Sequence, residues 1–533
     1  MLNGQSGRPI AWENSLCNHC CFEYRRYNES SLVQKSSSPV VLFIFFSLLS
    51  SPLLCVHAAP PNVILLMGDD HGWDEVGYNG HPHLKTPVLD EMAATGLRLD
   101  RFYSAHPSCS PTRASVMTGR HPNRCGTFSP NYSTRPEEIT IAHLLSDAGY
   151  LCGHFGKWHL GPVKKSSPTS PGAMGFDRWV SHDNFFELNP TLSFDGGPPR
   201  KIDGESSAVV VNESIPFLQQ AKREKRPFLA VLWFGSPHEP YSGLDADLAL
   251  YDDLPDEYAD KQVRLTSNET GRQTKRPLRD VLRERYAEIT AMDRAIGKLR
   301  NWLKKEGLRD NTVLWYCGDN GTPGDGIVTS PFRGQKGNMY EGGVRVPGII
   351  EWPARITDSM VSDVNSVTSD MLPTVCNLAD VDFPDRPLDG VDLTDVIDGT
   401  MKQRPQPIGF WSFDTKLEGR NKPYIKAELQ QGTTPLVKLM GDIPTRNFRN
   451  YHHPEIVEGD YAGARVWLDN QYKLVMKGSR TGKQQVELFD VRDDPAEKLD
   501  VAGEKPAVVK KMQAELRDWQ QSVLTSLTGA DYN

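Results

Sequence analysis

Apolar residues in this chain come in short unbroken runs, and each run ends in glycine and polar side chains. Asn62 to Met67 stops at Gly68-Asp69-Asp70, Phe228 to Phe234 at Gly235-Ser236-Pro237-His238, and Thr312 to Cys317 at Gly318-Asp319-Asn320. A run without polar alternation predicts a strand buried on both faces, as in a parallel sheet. The polar residues then stand at the carboxyl ends of the strands, where open α/β sheets bind their ligands. Between the runs the spacing becomes helical: Thr86 to Thr95 carries Val88, Leu89 and Met92, and Tyr286 to Leu299 carries Ile289, Met292, Ile296 and Leu299. Alternating strands and helices predict an α/β fold with a mostly parallel sheet sandwiched by helices. The stretches 190–206 and 252–280, rich in Pro, Gly and charge, read as loops or insertions.

Beyond Asp398-Gly399 the pattern shortens. Val466 to Leu468, Tyr472 to Met476 and Val486 to Phe489 predict antiparallel strands joined by turns at Asp469-Asn470 and Gly478 to Gly482. Val508, Met512, Leu516, Trp519 and Val523 then form one apolar stripe of a final helix able to pack on that sheet. The expected organisation is a leader and signal peptide at 1–59, a catalytic domain at 60–400 and a smaller C-terminal subdomain at 401–533.

Val40 to Val56 is the one strongly apolar segment, broken by serines and Pro52 and followed by His57, Ala58 and Ala59. Its length and small-residue exit predict a signal peptide rather than a spanning helix, with cleavage near Ala58 or Ala59 and export to a periplasmic, secreted or lumenal compartment. The leader before it holds Cys17, Cys20 and Cys21 with no companion His/Cys pair, and reads as an unstructured extension or a misassigned start. Past the cleavage point remain Cys109, Cys125, Cys152, Cys317 and Cys376, too few for a disulfide scaffold, although four could pair. In 533 residues the formal charge is -8. This argues against a nucleic-acid surface, so an anionic substrate must be met by a local positive pocket.

Cys109 to Arg120 reads C-S-P-T-R-A-S-V-M-T-G-R. The small and apolar residues after Pro111 suit a helix with residue 109 at its N-terminus, where free N–H groups favour an anion. This run resembles the C-x-P-x-R signature of type I sulfatases. The resemblance extends to P-N-V-I-L-L-M-G-D-D at the start, G-K-W-H-L-G at Gly156 to Gly161, K-G-N-M-Y-E-G-G-V-R-V-P at Lys336 to Pro347, and E-L-F-D-V-R-D-D-P-A-E at Glu487 to Glu497. It covers nearly all of the exported chain, is similar to arylsulfatases and N-acetylgalactosamine-6-sulfatases, and implies the alkaline-phosphatase-like α/β fold. In that family a formylglycine-generating enzyme reads the motif in the unfolded chain and oxidises the cysteine, here Cys109, to Cα-formylglycine.

Asp69, Asp70, Asp319 and Asn320 offer hard oxygen donors from two strand ends, suited to Ca2+ or Mg2+ and not to zinc. The resemblance favours Ca2+ and adds the modified Cys109 to the ligand set. Lys157 and His159 stand two apart, so an extended stretch would face both toward one anion and Trp158 away. By similarity Lys157 and Lys336 would bind sulfate, Arg113 would anchor the formylglycine and the metal ligands, and His159 would take a proton from the sulfated intermediate. His238, after the second apolar run, would protonate the leaving alcohol. His154 lies outside the motif and reads as structural.

The activity implied is hydrolysis of a sulfate ester, on a sulfated carbohydrate or an aryl sulfate, without a nucleic-acid or stable membrane partner. Two alternatives stay open: a phosphodiester or phosphonate monoester hydrolase of the same superfamily, and an inactive secreted glycan-binding protein. Substrate choice lies chiefly in 162–215, 239–280 and 405–465, where His182, Asn184, Arg449, His452 and His453 could line a subsite or sit on a plain surface loop.

Overall fold

A computed structural model describes residues 59–532 apart from 268–271, 325, 327–328, 416–420, 441–442 and 479–483. The leader, its cysteine cluster and the Val40 to Val56 segment lie outside the described residues. Among the described residues no helix is long and apolar enough to cross a membrane.

Four parallel strands form the centre of a ten-stranded sheet, in the spatial order Leu151–Lys157, Phe228–Trp233, Asn62–Gly68 and Thr312–Gly318. Arg178–His182 adds a fifth parallel strand beside Leu151–Lys157, and Gly348–Glu351 runs antiparallel beside Thr312–Gly318. The three apolar runs are therefore strands, each within a residue of its expected end. Their lack of alternation has a direct cause. Val63, Leu65 and Met67 pack into a core with Ala114, Val116 and Met117, while Ile64 and Leu66 pack into a second core on the other face with Leu89, Met92, Met292 and Ile296. Both faces are covered, so neither tolerates a polar side chain.

Helix Pro87–Thr95 matches expectation; its first free amides, at Val88 and Leu89, donate 3.0 and 2.8 Å hydrogen bonds to Asp293. Asp293 belongs to a helix much longer than its apolar spacing implied, Leu278–Lys305. The stretches expected as loops differ from that reading: they hold the short edge strands Thr191–Phe194 and Arg200–Lys201 and the hairpin Gln262–Thr266/Gln273–Pro277. Arg200–Lys201 and the hairpin are largely exposed or half-buried, so their sequences carry charge instead of an apolar run, and Thr191–Phe194 is too short for its period to be read.

Toward the C-terminus Ile408–Trp411, Arg465–Leu468, Tyr472–Lys477 and Gln485–Asp490 form a four-stranded antiparallel sheet. Helix Pro506–Leu527 covers it, Met512 and Leu516 packing with Trp467, Leu474 and Leu488. An unanticipated hairpin, Gln431–Met440 with Ile443–Asn447, lies outside this sheet. The five described cysteines are all unpaired and buried, so none of the four candidates forms a disulfide; Cys125 and Cys152 instead direct their thiols at the carbonyls of Pro122 and Ala142.

Candidate active site

The carboxyl ends of the four central strands lie side by side, and each delivers one part of the site. Asn62–Gly68 delivers Asp69 and Asp70, Thr312–Gly318 delivers Asp319 and Asn320, Leu151–Lys157 ends on Lys157 itself, and Phe228–Trp233 leads to His238. The close approach of the first two ends requires glycine, since a Cβ on Gly318 would stand 2.0 Å from the His71 carbonyl oxygen. Opposite them helix Cys109–Thr118 begins at Cys109 with Ser108 as its N-cap, as the small-residue pattern implied. The Cys109 thiol is buried and lies 3.9 Å from Asp70 Oδ1. One donor atom each from Asp69, Asp70, Cys109 and His238 falls within 4.8 Å of the others.

Cations interleave with the carboxylates. Lys157 Nζ lies 2.5 Å from Asp69, Lys336 Nζ 2.6 Å from Asp70, and Arg113 Nη2 2.7 Å from Asp319 and 3.6 Å from Asp69. Arg113 also donates to the Lys157 carbonyl at 3.1 Å and lies over the Trp233 ring, which fixes its plane. Burial pushes the Asp69 carboxyl up. Burial acts on Asp70 in the same direction, but Lys336 and His238 outweigh it and hold that group below the usual carboxylate range. Burial likewise raises the Cys109 thiol, the opposite of what an activated thiolate nucleophile needs.

The residues expected to hold a divalent cation fit one. Asp319 spends Oδ1 on the Asp70 amide at 2.8 Å and Oδ2 on Arg113, which pins it in place. Asp69 Oδ1 and Asn320 Oδ1 are buried oxygens with no hydrogen-bond donor among the described residues, the condition a hard cation relieves.

His159 lies just beyond the strand, with φ 58°, so a left-handed turn and not strand alternation turns it toward Lys157. Both its ring nitrogens are buried without hydrogen-bond partners among the described residues. Burial, then Lys157, hold its imidazole well below the ordinary range. His238 is 3.7 Å from Asp70 through Nε2, hydrogen-bonds the Glu239 carbonyl through Nδ1 at 2.5 Å, and stacks on Phe185 with ring centres 4.4 Å apart. His154, bonded to Ser181 and packed among Trp158, Phe176 and Trp233, is structural as expected.

Of the candidate subsite residues, His182 and Asn184 are buried beside the Lys157 strand end, but His182 engages the backbone of Asn184 and Pro435. Arg449 stacks on Tyr132, His452 meets Tyr424 edge-on, and His453 lies 3.1 Å from Asp460, so these three serve packing.

Two supports escape sequence reading. Arg285 grips both oxygens of Glu75 at 2.6 Å and donates to the carbonyls of Asp70 and Pro237, so one buried guanidinium ties together the loops carrying Asp70 and His238. Buried Lys473 bridges Glu341 at 2.9 Å and Glu497 at 3.0 Å, and Glu497 accepts the Glu341 amide at 2.7 Å. Those contacts brace the turn that carries Lys336. The only available signal was that Glu341 and Glu497 both fall inside the quoted motifs.

A buried cysteine at a helix N-terminus, flanked by carboxylates, cations and two imidazoles on this scaffold, is an arrangement suited to a hydrolase of anionic esters. The sulfatase family model matches residues 61–381. N-acetylgalactosamine-6-sulfatase of Mus musculus is 31% identical over 386 residues, 65% of this chain and 68% of that protein. Arylsulfatase A of Homo sapiens is 31% identical over 399 residues, 68% of this chain and 73% of its own length. The solved structure of Ps i-CgsB in complex with k-i-k-neocarrahexaose shares the fold, with TM-score 0.69 and 23% identity over 87% of this chain and 93% of that one. The chain belongs to the sulfatase family and is a sulfuric ester hydrolase.

Proposed function

We propose that this enzyme releases sulfate from a sulfated carbohydrate, with Cys109 matured to Cα-formylglycine and a divalent cation, Ca2+ ahead of Mg2+, held by Asp69, Asp70, Asp319 and Asn320. The observation that carries the reading is the convergence of Asp69, Asp70, Cys109 and His238 within 4.8 Å at the start of the Cys109–Thr118 helix. Hydration of the aldehyde supplies a hydroxyl nucleophile that a buried thiol with a raised pKa does not. The cation supplies charge neutralisation for the sulfate oxygens.

The chain's own residues do the rest. Lys157, Lys336 and Arg113 surround position 109 with fixed positive charge, the chief means of stabilising an anionic transferring group. His238, held by Phe185 and the Glu239 carbonyl, gives a proton to the departing sugar oxygen. His159, whose nitrogens have no hydrogen-bond partner among the described residues, takes the proton from the second hydroxyl at position 109. Maturation requires a formylglycine-generating enzyme acting on the unfolded chain. The Val40 to Val56 segment supports export with cleavage near Ala58 or Ala59.

Protein coexpressed with a formylglycine-generating enzyme tests this by sulfate release from a panel of sulfated glycans, with an aryl sulfate and a phosphodiester alongside. Release from a sulfated sugar is expected. Turnover of the phosphodiester alone, with conversion of Cys109 confirmed by peptide mass, would refute the proposal.

A further inference from the structure

Arg446 sits in the hairpin strand Ile443–Asn447, in the C-terminal part of the chain. The hairpin is anchored at Asp183, between His182 and Asn184. Asp183 accepts the amides of Thr433 and Thr434 and the Thr434 hydroxyl, and its own amide donates to that hydroxyl at 3.0 Å. Its base is tied to the Asn131–Ser133 segment, through Arg449 N to the Asn131 carbonyl at 2.9 Å and Ser133 N to the Arg449 carbonyl at 3.0 Å. The register of this hairpin shifts twice, between Gln431 and Pro435, where five residues face the three of Thr445 to Asn447, and again between Pro435 and Met440. Arg446 stands two residues before Phe448, at the end of the hairpin that borders the site, where the Phe448 ring centre lies 6.3 Å from that of His159.

The arginine is half-buried yet has no carboxylate partner among the described residues. Its Nη1 donates to the neutral Asn131 side chain at 2.5 Å, and its Nε is buried with no hydrogen-bond partner. A guanidinium withdrawn from water is ordinarily compensated by an anion. Its charge is felt at His159 and His182, beside the Lys157 strand end. The scissile sulfate already has Lys157, Lys336 and Arg113 about position 109. A fourth cation arriving from a separate element is placed for a different anion.

We propose that Arg446 binds a second anionic group of the substrate, a carboxylate or a further sulfate close to the scissile ester, and so selects multiply charged glycans over monosulfated ones. This rests on the sulfatase reading above. The test compares kcat/KM on 4-nitrophenyl sulfate, a monosulfated hexosamine, a disulfated hexosamine and a sulfated disaccharide bearing a uronate, for native enzyme, R446Q and R446K. Native enzyme should prefer one of the two doubly charged sugars, and which one names the anion. In R446Q that preference, taken relative to 4-nitrophenyl sulfate, should fall by about 10- to 100-fold, mainly through KM, with partial recovery in R446K. In the native protein alone, the preference should shrink as ionic strength rises. Equal loss on all four substrates, no native preference for either doubly charged sugar, or a preference indifferent to salt would overturn the assignment while leaving the sulfatase reading intact. Sulfate release from none of the four by native enzyme would overturn both.

Discussion

Replacing Arg285 with methionine strikes the support beneath the site without touching a group proposed to meet substrate. The guanidinium meets both Glu75 oxygens at 2.6 Å and the Asp70 and Pro237 carbonyls at 2.6 Å each, with both charged side chains fully buried. Arg285→Met keeps the aliphatic stem and leaves Glu75 an unpaired carboxylate in the interior. Breaking a buried pair from one side costs about 3–5 kcal/mol, and two carbonyls lose charged donors worth about 1.5–3 kcal/mol each. These losses overlap, and a total of about 4–6 kcal/mol is expected. The pH dependence sharpens the test. Burial alone would raise the Glu75 carboxyl; Arg285 outweighs it and holds the group below its ordinary value of 4.5. In the native enzyme the pair's contribution is complete above that value and is lost as pH falls through the depressed one. In the variant burial, the largest influence on Glu75, is opposed only by His71 and by hydrogen bonds from the Gly72 amide and the Thr322 hydroxyl, so Glu75 is expected to bind its proton more tightly folded than unfolded, and stability to fall as pH rises above 4.5. The stability gap therefore widens from pH 5 to pH 8. Urea unfolding followed by tryptophan fluorescence at pH 5, 6.5 and 8 measures it, with the Glu75→Gln/Arg285→Met double variant expected to lose the pH dependence and recover much of the stability. A gap that is flat with pH, or a double variant as weak as the single one, would refute the reasoning.

Cys109→Ala should lower sulfate release on the order of 10⁴-fold or more while leaving the unfolding midpoint near native, checked by kinetics and denaturation together; substantial residual turnover would remove Cys109 from the nucleophile's place. Chelation should abolish activity and lower thermal stability, and added Ca2+ should restore both, with about 2.7 kcal/mol regained at a concentration 100 times Kd. His238→Asn should slow sugar sulfates by about 10²- to 10⁴-fold and activated aryl sulfates far less, because only the poorer leaving group needs the proton; equal losses would count against an acid. Gly156→Ala should destabilise by more than about 2 kcal/mol, since φ is 99° and the added Cβ would stand 1.9 Å from the Trp233 carbonyl, measurable as a lowered unfolding midpoint.

The central strands were legible because burial on both faces leaves no position for a polar residue, so run length and strand length coincide. The polar groups at their ends were legible for the complementary reason: a hydrophobic run that stops at Asp-Asp or Asp-Asn has nowhere else to put a ligand. What brings His159 into the site, a left-handed turn two residues past the strand, has no period to read. The Gln431–Asn447 hairpin hid for a related reason: its register shifts twice, and Gly432, Thr433, Thr434 and Pro435 interrupt any alternation before Leu436. Arg446 and Arg285 look like ordinary surface arginines in the chain. Only the fold shows that one stands in the hairpin bordering the site, unpaired by any described carboxylate, and that the other is sealed beneath it.

The turn bearing Lys336 is locked by Lys473 and Glu497, more than a hundred residues further along the chain. During synthesis, that lock closes only after roughly 390 residues, as far as Glu497, have followed Cys109, which at about 5–20 residues per second leaves an interval of roughly 20–80 s. Cys109 is nearly inaccessible once folded, at 2% exposure, so any enzyme that converts it must act within that interval. On the maturation proposed for Cys109, the late position of the lock would act as a timer: the slower the polypeptide reaches its final third, the longer position 109 stays open to conversion.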